Sequence, residues 1–283
     1  MTATVVEIEG RSLTLTNLDK ALYPTGFTKG QIIDYYVRIA PMILPHLAGR
    51  NVTMIRYPNG VDRDHFFAKN IPSHAPEWME RVELRDNTYI VCRDLPTLVF
   101  MANLAGIELH VPMHRAADDS WMPDRIVFDL DPGPGAGIAE CCEVAILIRD
   151  LLAPLGLAMR AKTSGSKGLQ LYALPAEPMP YEGTTGTTAL AKRVAEGLEV
   201  AHPQLVVSKQ TKELRPGKVL IDWSQNVSAK TTVCAYSLRA RSDATVSTPV
   251  TWDELEMAST TGALRFTYDE VLVRVESMGD LFA

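Results

Sequence analysis

The chain is poor in cysteine, and the little it has is not arranged for bonding. Cys92, Cys141, Cys142 and Cys234 form no C-x-x-C pair, so the spacing offers neither a zinc site nor a dithiol redox motif. Cys141 and Cys142 are adjacent within a helical pattern, where bridging one another is awkward. Four reduced thiols predict a cytoplasmic protein. Long apolar runs are missing too. None approaches the ~18 residues of a membrane span. The opening M-T-A-T-V-V-E-I-E-G lacks the basic and apolar stretches of a secretory leader. No membrane partner is expected. Also absent are H-E-x-x-H, a Walker loop and a G-x-G-x-x-G at a strand–helix turn, which removes the commonest metalloprotease and nucleotide-fold readings.

The 283 residues carry a net charge of -6, which at first argues against an anionic partner. The distribution argues otherwise. Residues 62–159 hold 8 Lys and Arg against 16 Asp and Glu, whereas residues 160–241 hold 12 against 6. A basic segment therefore follows an acidic one, and the local field decides what an anionic ligand meets.

The acidic segment contains R-I-V-F-D-L-D-P (Arg125–Pro132), closed by Gly133-Pro134-Gly135. An apolar run stopped by Pro and Gly predicts a buried strand ending in a turn. Side chains alternate along a strand, so Asp129 and Asp131 share one face. Two adjacent carboxylates repel, and a divalent cation with a taste for hard oxygen ligands relieves them. A turn-capping Asp beside a solvated one is the plainer alternative.

A helix is predicted over Ile138–Leu155. A strand over Met159–Thr163 then runs into T-S-G-S-K-G (Thr163–Gly168) and a strand over Leu169–Ala173. Gly165 and Gly168 permit close approach, so backbone N–H groups can face an anion, and Lys167 adds a point charge. A plain hairpin turn fits the same residues. After a loop at Tyr181–Thr188 and a helix over Ala189–Ala201, V-L-I-D-W-S-Q-N (Val219–Asn226) delivers a third carboxylate, Asp222, from strand Val219–Ile221. Lys230, Arg239 and Arg241 follow.

Earlier elements are a hairpin of Val5–Ile8 and Ser12–Leu15, a helix through Ile32, Ile33, Tyr36 and Ile39 capped by Thr28, and strands over Val52–Tyr57 and Thr88–Cys92. Helical periodicity over Pro96–Leu109 places His110 at a helix end. Lys20 and Lys29 can meet on one side of the first turn-rich segment. H-F-F-A-K (His65–Lys69) is either a stacking platform with a phosphate contact or part of the core. The acidic stretch from Trp252 to Ala283 has a helical pattern and no readable site.

Three carboxylates from two strands can hold two Mg²⁺ or Mn²⁺ ions, and the cations between and after them suit a triphosphate. That is nucleotidyl-transfer chemistry. F-D-L-D-P-G, T-S-G-S-K-G-L-x-L-Y and V-x-I-D-W-S-Q-N resemble the three active-site motifs of the archaeo-eukaryotic primase superfamily, with the polymerase domain of bacterial ATP-dependent DNA ligase D as the nearest form. The likeness runs from L-T-N-x-D-K near the start to Y-D-E-V-L near the end. With no room for ligase or nuclease modules, residues 1–283 resemble a stand-alone or excised primase-polymerase domain.

The resemblance implies a mixed α/β (α+β) fold, two lobes around a central antiparallel sheet that carries the Asp residues. It implies a template-dependent polymerase that adds ribo- or deoxynucleotides at gaps or broken ends during non-homologous end joining. Asp129, Asp131 and Asp222 would be catalytic and hold two Mn²⁺ or Mg²⁺ ions. His110, Ser164, Ser166, Lys167, Gln170, Gln225, Lys230 and Arg239 would bind the nucleotide. Asn17, Lys20, Lys29 and Arg56 would grip the DNA and its 5′-phosphate, with Phe66, Phe67 and Lys69 on the template. Nucleoside triphosphates, gapped or nicked DNA, the end-binding protein Ku and a DNA ligase are the implied partners of a monomer at the bacterial nucleoid. One position departs from the family: Gln170 stands where His is usual, and it carries no positive charge. Restoring His is expected to tighten nucleotide binding.

Two other classes compete. A non-catalytic module that binds DNA ends could keep the same fold. A phosphatase of the haloacid-dehalogenase type also places D-x-D at a strand end, but Gly133 occupies the usual Thr or Val position, and the only late Gly-Asp, Gly279-Asp280, lies close to the C-terminus.

Overall fold

The computed structural model describes residues 3–116 and 121–283. The chain starts with an antiparallel hairpin of β1 (Ala3–Ile8) and β2 (Arg11–Thr16). Helix α1 follows over Lys29–Leu47. Thr28 accepts from the Gln31 backbone N–H and the Gln31 side chain returns the bond, so the expected cap is a full capping box. The helix runs eight residues beyond the Ile39 end of the sequence pattern, through Pro41 and Pro45. Burial of Ile32, Tyr35, Tyr36, Ile39 and Ile43 offsets the two backbone donors that proline removes.

The first sheet has β7 (Gly106–Val111) beside β3 (Asn51–Arg56), then β6 (Asn87–Val91) and β5 (Arg81–Leu84), with β13 (Thr232–Val233) on the far side of β7 and β4 (Phe66–Ala68) also paired to β3. The helical reading of Pro96–Leu109 is only half right. Helix α2 spans Leu95–Asn103 and ends there. Ala105 takes a left-handed φ of 57°, and a Cβ on Gly106 would come within 2.8 Å of the Met101 carbonyl. The chain turns sharply into β7, where Ile107, Leu109 and Val111 are buried at a period of two. His110 therefore sits on a strand, not at a helix end. Apolar residues on both sides of the turn happened to continue the helical spacing.

The second sheet carries the D-x-D. Its order is β11 (Val206–Val207), β12 (Val219–Asp222), β8 (Ile126–Pro132), β10 (Leu169–Leu174), β9 (Ala158–Thr163) and β14 (Pro249–Val250). All its pairings are antiparallel except β11–β12. Helices α3 (Ile138–Leu152), α4 (Thr187–Ala201) and α5 (Trp252–Thr261) cover one face. Alternation sends Ile126, Phe128, Leu130, Leu169, Leu171 and Ile221 into that helical layer. Val127 and Tyr172 point the other way and join the core of the first lobe, which includes α1 and α2. The face bearing Asp129 thus looks toward the first sheet, as the two-lobed expectation requires.

Helix α6 (Tyr268–Met278) packs against α1. The residues after it fold back: Asp280 accepts from Tyr236 and pairs with His46, each at 2.8 Å, while Phe282 lies edge-on to Tyr172. All four cysteines are free and buried. Among the described residues no helix is long and apolar enough to cross a membrane.

Candidate nucleotidyl-transfer site

Register across the second sheet builds the site. Asp129 of β8 lies directly opposite Gln170 of β10 on one side and Asp222 of β12 on the other. Directly opposed residues on one face place their Cβ atoms about 5 Å apart, and Asp131 follows two residues along the same face. Burial, and then its neighbour Asp131, push the Asp129 carboxyl well above the usual carboxylate range. Burial and Asp222 raise Asp131 likewise, with Arg215 opposing. The three carboxylates therefore crowd one another, Asp222 buried, Asp129 half-buried and Asp131 exposed.

Neighbours claim some of their oxygens. Gln170 Nε2 donates to Asp129 Oδ1 at 3.1 Å. Asp222 accepts from the Ser224 backbone and hydroxyl at 3.0 and 2.6 Å, and from Gln225 Nε2 at 2.9 Å. Lys230 Nζ donates to Ser224 Oγ at 2.7 Å. Among the described residues no three acidic, His or Cys side chains are drawn to metal-ligand spacing. Both Asp222 oxygens are thus engaged within W-S-Q-N. Asn226 secures the other end of W-S-Q-N: its Oδ1 accepts from Val127 N–H at 2.8 Å and its Nδ2 donates to Val127 C=O at 2.7 Å. One side chain thereby substitutes for a strand partner of β8.

The T-S-G-S-K-G turn joins β9 to β10 as a hairpin. Its backbone already uses part of the expected set of donors. Ser166 and Gly168 N–H both donate to Ser164 Oγ, at 3.2 and 3.1 Å. Exposed Lys167 is the charge of the turn. Glycine is required at Gly168, where a Cβ would stand 2.0 Å from the Leu130 carbonyl.

A cavity of about 470 Å³ opens over the carboxylates. Asp129, Asp131 and Gln170 line its floor, Ser164, Ser166 and Lys167 one wall, and His110, Gln225 and Arg239 the other. Glu108, absent from the sequence reading, holds that second wall. It is buried and accepts from the Ala240 backbone at 3.0 Å. His110 Nε2 lies 3.0 Å from it and Arg239 Nε 3.3 Å. Burial works to raise the Glu108 carboxyl, but the His110 hydrogen bond and the Arg239 charge hold it down at about 2. Burial in turn lowers the His110 pKa. The signal was the E-L-H spacing, legible only once β7 is a strand. Arg215 also lines the cavity and was missed; nothing in its Lys- and Arg-rich loop distinguishes it by sequence. Buried Lys162 was missed as well.

A second cleft, of about 510 Å³, shares Gln225 and Thr231 with the first and is lined by Phe67, Lys69, Arg85 and Lys230. Phe66 and Phe67 are 46 % and 62 % exposed, so the pair is not core. Arg56 stacks over the Phe66 ring at 5.0 Å.

Neither cavity is lined by Asn17, Lys20, Lys29 or Arg56. The last three form a separate basic group. Lys20 Nζ donates to Pro58 O and Asn59 Oδ1, Lys29 Nζ to Thr16 Oγ1 and Asn103 O, and Arg56 Nε to Leu104 O. These partners are neutral. Burial, then the charges of Lys20 and Arg56, bring the Lys29 pKa down to about 8. Asn17 sits beside them at a left-handed φ of 53°, its carbonyl accepting from Lys20 N–H.

Comparison with known proteins gives a consistent set. The family model described as "LigD, primase-polymerase domain" matches residues 28–282. The chain is 46% identical over 275 residues to the multifunctional non-homologous end joining protein LigD of Mycolicibacterium smegmatis, covering 95% of this chain and 35% of that protein. It is 35% identical over 269 residues to the bifunctional LigD of Bacillus subtilis, covering 94% and 43%. Among solved structures, the polymerase domain of Mycobacterium tuberculosis ligase D in complex with DNA superposes with a TM-score of 0.88 at 47% identity, covering 95% of this chain and 96% of that one. The chain spans roughly a third of the length of the mycobacterial relatives.

Proposed function

The chain belongs to the primase-polymerase family of LigD proteins, and from that membership we propose that it is a template-directed nucleotidyltransferase, adding nucleotides at gaps or broken DNA ends in non-homologous end joining. The observation that carries this reading is the β8–β12 register. It sets Asp222 opposite Asp129, which with Asp131 floors a cavity walled by Lys167 and Arg239.

The donor set fits divalent cations. Three carboxylates lie close together, Asp129 raised by burial and by Asp131, and Asp131 by burial and by Asp222, and their hard oxygens suit Mg²⁺ or Mn²⁺. Asp129, Asp131 and Asp222 would hold two such ions. When bound, the ions lower the pKa of an attacking hydroxyl and stabilise the leaving pyrophosphate. Asp222 would help take the proton of a primer 3′-hydroxyl. Ser164, Ser166, Lys167, Gln170, Gln225, Lys230 and Arg239 bind a ribo- or deoxynucleoside triphosphate, with His110 beside the sugar. Asn17, Lys20, Lys29 and Arg56 hold a 5′-phosphate; three cations whose recorded partners are neutral support this. Phe66 and Phe67 stack on template bases, and Lys69 meets the backbone.

Residues 1–283 act as one primase-polymerase domain and as a monomer, in the cytoplasm at the nucleoid, alongside Ku and a DNA ligase. The test is extension of a labelled primer on a gapped duplex with a 5′-phosphate, in Mn²⁺ or Mg²⁺, with each nucleotide type separately. Incorporation should vanish in Asp129→Ala/Asp131→Ala. DNA binding without incorporation by the unaltered chain would instead favour a non-catalytic end-binding module.

A further inference from the structure

One row of side chains crosses four strands of the second sheet. Lys162 of β9 is in register with Gln170 of β10, Gln170 with Asp129 of β8, and Asp129 with Asp222 of β12. The row starts at a wholly buried lysine: Lys162 is 0 % exposed. Its Nζ donates to Gln170 Oε1 at 2.5 Å and to Ser247 Oγ at 2.7 Å, and it faces the Tyr172 ring at 5.7 Å. Burying an ammonium is costly unless it is paired and hydrogen-bonded. Lys162 is not itself part of the cavity lining and meets it only through Gln170.

The chemistry of the row settles the orientation of Gln170. An ammonium can only donate, and a carboxylate can only accept. The amide oxygen must therefore face Lys162 and the amide nitrogen Asp129, where it stands 3.1 Å from Oδ1. The Tyr172 hydroxyl, 3.4 Å from Oε1, can donate to it in this orientation. With Oδ1 engaged, the Asp129 carboxylate is held at a set angle, its second oxygen left for a cation. A neutral imidazole could make the same acceptor–donor pair, so Gln170 keeps that pattern without the capacity to become charged.

We propose that Lys162 is a positioning residue for the transfer reaction: by holding the Gln170 carboxamide oxygen it directs the amide N–H onto Asp129 and fixes that carboxylate for its divalent cation. The proposal rests on the nucleotidyl-transfer reading of the site. Groups behind a metal ligand commonly change metal affinity about 10- to 100-fold when removed.

The test is Mn²⁺ binding to the full chain without nucleotide, followed by paramagnetic resonance of free Mn²⁺, together with thermal melting. Lys162→Met should weaken Mn²⁺ binding about tenfold while leaving melting unchanged or raised, since an apolar chain of similar length replaces a buried charge. In a Gln170→Ala background, adding Lys162→Met should cause no further loss, because Lys162 acts through the amide. Unchanged Mn²⁺ affinity in folded Lys162→Met would overturn the proposal, and so would an equal additional loss in the Gln170→Ala background. Lys162→Leu repeats the measurement if the methionine variant folds poorly. Failure of both to fold would assign Lys162 to structure alone. Asp129→Ala/Asp131→Ala is the separate control: if it binds Mn²⁺ as the unaltered chain does, the metal reading itself fails, whatever the Lys162 variants do.

Discussion

Gln170 shows how far a single residue could be read. Its departure from the family pattern was visible in the sequence, and the lost positive charge suggested weaker nucleotide binding. Its partners were not visible, because Lys162 and Asp129 reach it across strands far apart in the chain. A histidine here must accept from Lys162 and donate to Asp129, which only the neutral imidazole can do, so Gln170→His should change the nucleotide KM by less than about threefold rather than tighten it strongly. Steady-state kinetics would check this; a tenfold fall in KM would mean that an imidazolium reaches the triphosphate. Lys29 gives a prediction with a definite sign. Its pKa is lowered to about 8 by burial and by Lys20 and Arg56, so above that pH the free chain holds it neutral. Gripping a 5′-phosphate then requires taking up a proton. The preference for 5′-phosphate over 5′-hydroxyl ends should fall between pH 7 and pH 9, by up to about tenfold per pH unit above 8. Fluorescence anisotropy with the two ends would read it, and a flat ratio would remove Lys29 from the phosphate site.

At the scale of elements, strands closed by Gly and Pro were the most legible. β8, β9, β10 and β12 begin and end within about a residue or two of where their sequence patterns place them, as expected for short runs with clear stops. Failure came where a stop was masked. Gly106 ends α2 and opens β7, yet the apolar spacing carries through it, and with that error Glu108 and its hold on His110 and Arg239 were lost. The T-S-G-S-K-G turn was correctly placed as an element, but its internal bonding to Ser164 Oγ depends on side-chain geometry that composition does not carry. Asn226 was recognised only as part of a motif. Its two bonds to Val127 replace a missing strand neighbour, so Asn226→Leu leaves a buried donor and acceptor unpaired. The cost should be about 2–4 kcal/mol, read by denaturant unfolding. Primer extension should fall with it, since Val127 is two residues from Asp129; an unaltered unfolding midpoint would contradict this account.

For the whole molecule, the charge distribution along the chain anticipated the gathering of Lys167, Arg215, Arg239 and Arg241 around one cavity, although the net charge did not. The Phe pair could not be resolved by sequence, because core and platform readings use the same residues. The fold leaves both rings exposed on β4, next to a basic cleft that meets the nucleotide cavity at Gln225 and Thr231. Stacking is worth about 1–3 kcal/mol per base. Phe66→Ala/Phe67→Ala should thus weaken template binding at least about tenfold, with little change in melting. A large loss of stability without a binding defect would return the rings to the core.

The facing of the two sheets has a practical meaning for how the molecule fails. Its cavity has no owner: the carboxylates stand on one hydrophobic core, whereas His110 and Glu108 stand on the other. Whichever core loosens first takes the chemistry with it. Inactivation by heat or denaturant should therefore follow the weaker of the two cores, and a substitution that strengthens only the sturdier one should raise the final unfolding step without extending the working range.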